Sequence, residues 1–306
     1  MPRARCRGRV ERARRVPRRA AQRRPAGRCC VTDPKNAVAT ERGRYYRDPA
    51  GGPDLISVTN AAGSSVHKPA LVPWGAGLVA DHVIANPIEV ARRARTEPTK
   101  LRRELVALPN SNRERAADLG SRVHHRAHAL VIGAPYPADP EVEPYAVQLA
   151  KWFRLWRVDF ERDVEAVETT VLNRRHGYAG TGDLWLWLPT SPGGRRELWL
   201  IDYKTSAKKP ATTVYAEQPY QLAAYRWAEV ALLADDSEVP APRPRRTAVL
   251  NLRPRSHRLI ELPSDRAVFR AFLGALRSSR HLHEAPAEYP SILPPWAPGS
   301  AERKAA

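Results

Sequence analysis

The chain has 306 residues, 42% of them hydrophobic, with 29 prolines and a formal net charge of +19, a length that suits one large domain or two small ones. No apolar run approaches the ~18 residues that cross a bilayer, and the N-terminus has charge but no apolar segment, so neither a membrane partner nor a secretory signal is expected. All three cysteines, Cys6, Cys29 and Cys30, lie in the first thirty residues, which excludes a disulfide framework and a cysteine-held zinc or iron–sulfur centre from the rest and points to a reducing, cytoplasmic setting.

Taken in chain order, residues 1–40 read as a disordered basic tail. The first thirty hold twelve arginines against the single acid Glu11, a net of +11, which leaves about +8 for the remainder. Such a stretch has too little apolar side chain to bury. Positive charge on both parts suits a polyanion, because Lys and Arg displace condensed counterions from phosphate. One domain is expected over 41–285, its order starting near Tyr45, followed by a loose Pro-rich tail over 286–306.

Leu55 to Thr59 is a short strand or turn candidate. Pro69 to Ala85 carries Leu71, Trp74, Leu78 and Val79 at helical spacing. Residues 86–110 also read as helix, interrupted at Pro98, and Arg113 to Ile132 as a further one. Pro144 to Val158 is the next helix. Three strands follow: Val164 to Asn173, Asp183 to Leu188 and Glu197 to Tyr203. Ser191-Pro192-Gly193-Gly194 has the turn chemistry of an antiparallel hairpin between the last two. A long amphipathic helix is expected over Glu217 to Ala234, then a Pro-rich loop to Arg246. Strands at Ala248 to Leu252 and Arg258 to Leu262 come next. Ser264 caps a last helix running to about His281. This order predicts an α/β domain with a mixed sheet flanked by helices and an N-terminal helical region. The helix from Glu217 makes the crossover that sets the fourth strand parallel to the third.

Chemistry concentrates at the ends of the hairpin strands. Side chains alternate along a strand, so Asp202 and Lys204 share one face and Tyr203 takes the other. An isolated Asp-x-Lys is ordinarily a surface ion pair, but Asp183 opens the antiparallel neighbour and is brought close to Asp202. Two carboxylates so placed repel unless a cation lies between them, and hard divalent ions prefer such oxygen ligands. Lys204 beside them can orient a water or offset charge on a phosphate. His124 lies on a helix four residues after Gly120 and shares its face; an imidazole ligand tilts a site towards manganese. Gln221 and Tyr225 are likewise four apart on the later helix. Amide and phenol can hydrogen-bond phosphate or sugar, and a tyrosine can stack on a base or simply pack on the sheet.

In order, Gly120-x-x-x-His124, Glu168, Gly180-x-x-Asp183, Asp202-Tyr203-Lys204 and Gln221-x-x-x-Tyr225 resemble the RecB-type branch of the PD-(D/E)XK nucleases, especially phage and CRISPR-associated exonucleases. The resemblance covers roughly residues 55–265. It implies a restriction-endonuclease-like core and a Mg²⁺- or Mn²⁺-dependent DNA exonuclease of recombination, repair or phage DNA processing. A structure-specific endonuclease and an inactive nucleic-acid-binding module are the alternatives. It implies that His124, Asp183 and Asp202 hold the metal, with the Tyr203 carbonyl completing the shell. Lys204 would serve the attacking water, and Gln221 and Tyr225 would contact the nucleic acid. Glu168 matches the acid of the first strand, with Glu165 a near competitor. The four cysteines of some relatives are lacking, so no iron–sulfur cluster is expected. No phosphate loop is present either. The implied partners are single- or double-stranded DNA with a free end and a recombination or helicase protein.

Overall fold

The computed structural model describes residues 34–286 and, beyond them, residues 288, 289, 291, 292 and 294. The cysteines, most of the expected basic tail and most of the C-terminal tail lie outside the described residues.

Order begins earlier than Tyr45. Strand β1 (Ala37–Thr40) pairs antiparallel with β2 (Gly43–Tyr46), and β2 with β3 (Leu55–Ser57). Lys35 Nζ just before them donates to the carbonyls of Leu233 and Ala234. The expected strand stops at Ser57 because its hydroxyl accepts from the Asn60 N–H and caps α1 (Val58–Ser65), a helix that periodicity does not suggest in so short a run.

Helices α2 (Leu71–Ala85) and α3 (Pro87–Thr96) follow, then α4 (Pro98–Ile132). Pro87 and Pro98 sit at helix starts, where the missing N–H costs nothing. The stretches on either side of Pro109 form one 35-residue helix rather than two, with Pro109 inside it. Gly133, in the left-handed region at φ 67°, ends α4. Helix α5 (Glu143–Leu155) and the single turn α6 (Phe160–Asp163) lead into the three expected strands, β4 (Val164–Asn173), β5 (Tyr178–Pro189) and β6 (Arg196–Thr205). They form the predicted antiparallel meander.

The helix expected from Glu217 to Ala234 is cut to nine residues, α7 (Gln218–Arg226). Its remainder becomes β7 (Val230–Leu232), which pairs with β4 and with β8 (Glu238–Pro240). The cause is tertiary: the outer edge of β4 is open there, and the Glu229 N–H donates to the Leu172 carbonyl at 2.8 Å. The crossover then delivers β9 (Arg246–Leu252) parallel to β6, as expected, and β10 (His257–Glu261) pairs antiparallel with it. The last helix, α8 (Arg266–Glu284), is capped by Asp265, not Ser264. Ser264 instead accepts from Arg226 Nη1 and bonds the Thr247 hydroxyl.

The result is a mixed ten-stranded sheet, mostly antiparallel, with helices on both faces. Leu184, Leu186 and Ile201 pack towards α4 and α5, in one core that holds Trp152 and Phe153. Trp185, Leu198 and Leu200, the alternate residues of the same strands, pack towards α1, α7 and α8 with Phe269 and Phe272. No helix among the described residues is long and apolar enough to cross a membrane.

One irregularity of the sheet positions the site. Strand β5 has β4 along one edge. On the other edge, β3 pairs only with Tyr178 and Ala179, and β6 only from Leu184 onwards. Gly180 to Asp183 therefore have no strand partner on that side.

Candidate metal centre and active site

Val167, Leu184 and Ile201 stand side by side on β4, β5 and β6. The next row in the same register is Glu168, Asp183 and Asp202. Three carboxylates thus cross three adjacent strands at the place where the β5–β6 ladder ends. Asp183 occupies the opening: its Oδ2 accepts the Tyr203 N–H at 2.6 Å, a donor left free by the end of the ladder. Glu168 has a left-handed backbone, φ 44°. For a residue with a side chain this costs on the order of 1–3 kcal/mol, and it interrupts the pairing of β4 opposite Asp183.

Helix α4 carries His124 over the end of β6. Its Nδ1 lies 3.2 Å from Asp183 Oδ1 and 4.0 Å from Glu168 Oε1. Its Nε2 is 3.1 Å from the Tyr203 carbonyl. With Nε2 donating to that carbonyl, Nδ1 is the nitrogen that faces the carboxylates, protonated towards Asp183 in the imidazolium and able to ligate a metal once that proton is displaced. His124, Glu168 and Asp183 each offer an atom within 4.8 Å of the other two. Glu168 Oε1 is buried with no hydrogen-bond partner among the described residues. Buried polar groups are usually satisfied, so a hard cation fits this donor set of one imidazole and two carboxylates.

The compact donor group is not identical with the metal ligands expected from the sequence, in two respects. Glu168, and not Asp202, completes the compact group; Glu165 turns away and accepts from the Trp187 indole at 2.9 Å. The Tyr203 carbonyl serves the far side of the His124 ring, so in this arrangement it orients the histidine and is turned from the carboxylates. Gly120 faces the end of β6, where an added Cβ would make an ordinary contact of 3.4 Å with Thr205 Oγ1.

Asp202, 2% exposed, is held on the other side. Its Oδ1 accepts from Gln221 Nε2 at 2.9 Å, and its Oδ2 lies 2.5 Å from Lys204 Nζ. Lys204 in turn donates to Gln221 Oε1 at 3.0 Å. Gln221 Nε2 also donates to the Tyr225 hydroxyl at 3.1 Å. Gln221 is therefore the hub that bonds to both members of the Asp202–Lys204 pair and to Tyr225. Tyr225 departs from the expected contact with nucleic acid. It is 2% exposed and belongs to the core, with its ring against Gly180, where any Cβ would come within 2.5 Å of Cε1. A buried ring has no face to offer a base.

The charges are unbalanced. Burial and the Asp183 charge push Glu168 up to about 8. Burial, with Asp183 adding, pushes Asp202 up to about 6, against the pull of Lys204. Burial opposes the imidazolium of His124, but Asp183 above all outweighs it and raises His124 to about 9. Asp183 itself is held low despite its burial, chiefly by His124. Burial works against the Lys204 ammonium, yet Asp202 and Asp183 raise it overall. Lys204 thus stays charged at neutral pH. It is a donor and a counter-charge rather than a base.

Arg253 was not legible as a functional residue. It is 7% exposed and spends its guanidinium on carbonyls, those of Lys204, Leu252, Lys209 and Pro210. In this way it ties the loop after β6 to the strand end that carries Lys204. A lone arginine after an apolar strand has no sequence signal that separates it from a surface residue.

No family model matches the chain, and no curated protein matches it. Among solved structures, the crystal structure of SSO0001 is similar at 16% sequence identity over 55% of this chain and 76% of its own, with a TM-score of 0.27, too distant to speak for activity.

Proposed function

We propose that the chain is a divalent-metal-dependent DNA nuclease of the PD-(D/E)XK type on a restriction-endonuclease-like core, acting as an exonuclease. The observation that carries this reading is the row Glu168–Asp183–Asp202 with His124 at one end and Lys204 at the other. Such an excess of buried acid, with perturbed proton affinities, is what a cation-assisted site needs and a structural ion pair avoids. The meander β4–β5–β6, followed by a helical crossover to a parallel β9, supports the finer fold assignment.

In this reading His124, Glu168 and Asp183 hold Mg²⁺ or Mn²⁺, with Asp202 adjoining. The ion would stabilise charge on the phosphate and make a bound water more acidic. The protein's own groups do the rest. Lys204, positively charged and steered by Gln221, faces the attacking water or a phosphate oxygen. Asp202 lies beside it as the acceptor nearest to that ammonium. Tyr225 fixes Gln221 and is a positioning residue.

The test is cleavage of end-labelled linear DNA, single- and double-stranded, with Mg²⁺, Mn²⁺ or excess chelator, beside covalently closed circular DNA. Metal-dependent loss of linear substrate alone is expected. Full activity in chelator overturns the metal site, and equal cleavage of closed circles replaces the exonuclease by an endonuclease.

A further inference from the structure

A cavity of about 310 Å³ opens beside the candidate catalytic group. Lys204 and Gln221 form one wall. The end of β6 continues it through Thr205 and Ser206, and α1 supplies the opposite wall with Thr59, Ala62 and Gly63. Three cations, Lys68, Lys204 and Arg253, line it against the single acid Glu217. Arg253 is spent on carbonyls and Lys204 leans on Asp202, so Lys68 is the cation least committed to the core. Its Nζ is 3.1 Å from Glu217 Oε1, a half-exposed pair that bridges the segment after α1 to the start of α7. The volume is at the lower end of the range of about 300–1,000 Å³ found for small-ligand pockets. That suits one nucleotide and not a duplex.

From this we infer that the cavity is a subsite for a single nucleotide unit, the one adjoining the phosphate at Lys204. The phosphate, a stronger acceptor for an ammonium than a half-solvated carboxylate, draws Lys68 away from Glu217. The Thr205 and Ser206 hydroxyls meet the sugar–phosphate, and the small side chains of α1 leave room for the sugar and base. The inference rests on the nuclease reading for its place next to the reacting phosphate, but the binding of a nucleotide can be measured without catalysis.

Gly63 supplies a clean probe. A Cβ built there meets nothing within 4 Å, so a longer side chain projects into open space without displacing the backbone. The probe ligand is thymidine 5′-monophosphate, titrated by calorimetry into the full chain without metal. Binding is expected in the parent, weakened by about tenfold or more in Gly63→Leu and several-fold in Lys68→Ala, with unchanged thermal unfolding. On end-labelled DNA, Gly63→Leu should raise KM with kcat within a few-fold. If Gly63→Leu does not fold, Lys68→Ala carries the same binding test. A parent that does not bind the mononucleotide, or variants that bind and cleave as the parent does, overturn the subsite while leaving the nuclease reading intact. If the parent binds the mononucleotide in a Gly63-dependent manner but cleaves no DNA with any divalent metal, the subsite stands and the nuclease reading falls.

Discussion

Two sites of buried carboxylate begin within a few residues of each other, one at the residue before β4 and one on β4 and its neighbours, and they are built in opposite ways. Asp163, immediately before β4, is fully buried. It is met by Arg162 Nε at 2.7 Å and Arg196 Nη2 at 2.6 Å, with the Asp159 N–H donating to it as well. One carboxylate there has two guanidinium partners. Five residues on, Glu168 joins Asp183 and Asp202, and three carboxylates share His124 and Lys204. Burial opposes the Asp163 charge but Arg162, the Asp159 N–H and Arg196 hold its proton affinity below the ordinary value, whereas Glu168 and Asp202 are driven upwards. The first cluster is complete as it stands. The second is short of positive charge, and that shortage marks a site poised for a cation.

The comparison breaks most sharply through catalysis. Asp183→Asn and Lys204→Ala are each expected to lower cleavage at least about a thousandfold while DNA binding changes only a few-fold, since phosphate affinity is spread over many cations. Paired gel-shift and end-label assays on folded protein read both. Asp163→Asn, by contrast, should leave kcat and metal dependence untouched. If Asp163→Asn abolishes cleavage in protein that remains folded, the division between the two clusters is wrong.

Stability gives the next largest difference. Asp163→Asn should cost about 2 kcal/mol at neutral pH, the scale of hydrogen bonds to a charged group. The sign follows from linkage: a carboxyl whose proton affinity is lowered by folding stabilises above its ordinary value of 3.8, and loses that contribution as pH falls through the folded value. The gap between Asp163→Asn and the parent should therefore close as pH drops below about 4. Denaturant unfolding at several pH values measures it, and a gap that stays constant would remove the electrostatic explanation.

Glu168→Gln should act in the other direction. Without metal at neutral pH Glu168, pushed up to about 8, takes up a proton on folding that the unfolded chain does not hold, so Gln removes that cost and should raise stability by about 1 kcal/mol, a gain that fades as pH falls below the ordinary value of 4.5. It should also abolish the thermal shift that Mn²⁺ gives the parent. A Glu168→Gln protein still stabilised by Mn²⁺ as strongly as the parent would remove Glu168 from the ligand group.

The smallest expected effect separates positioning from contact. Tyr225→Phe deletes the hydroxyl that receives the Gln221 amide and should lower kcat a few-fold, about 1 kcal/mol, with DNA affinity unchanged. A change in affinity alone would return Tyr225 to the nucleic-acid surface.

Much of this site could be read before any fold was known, because strand periodicity is local. Alternation alone puts Asp202 and Lys204 on one face, and a Pro-Gly-Gly turn makes the hairpin that brings Asp183 back to Asp202. The same local rules give β4 and the parallel crossover to β9. What only the tertiary structure decided involves partners distant in sequence. Residues Val230 to Leu232 are strand, not helix, because the free edge of β4 takes them. Glu168 rather than Glu165 enters the cluster because its backbone turns left-handed opposite Asp183, a choice no spacing encodes. His124 reaches the carboxylates because α4 packs over the end of β6, where its ring meets the Tyr203 carbonyl and Asp183, and Tyr225 turns inward because Gly180 leaves a space for its ring. Sequence fixes which side chains share a face of one element; which elements meet there, and which buried charges go unpaired, depends on how the whole sheet is covered.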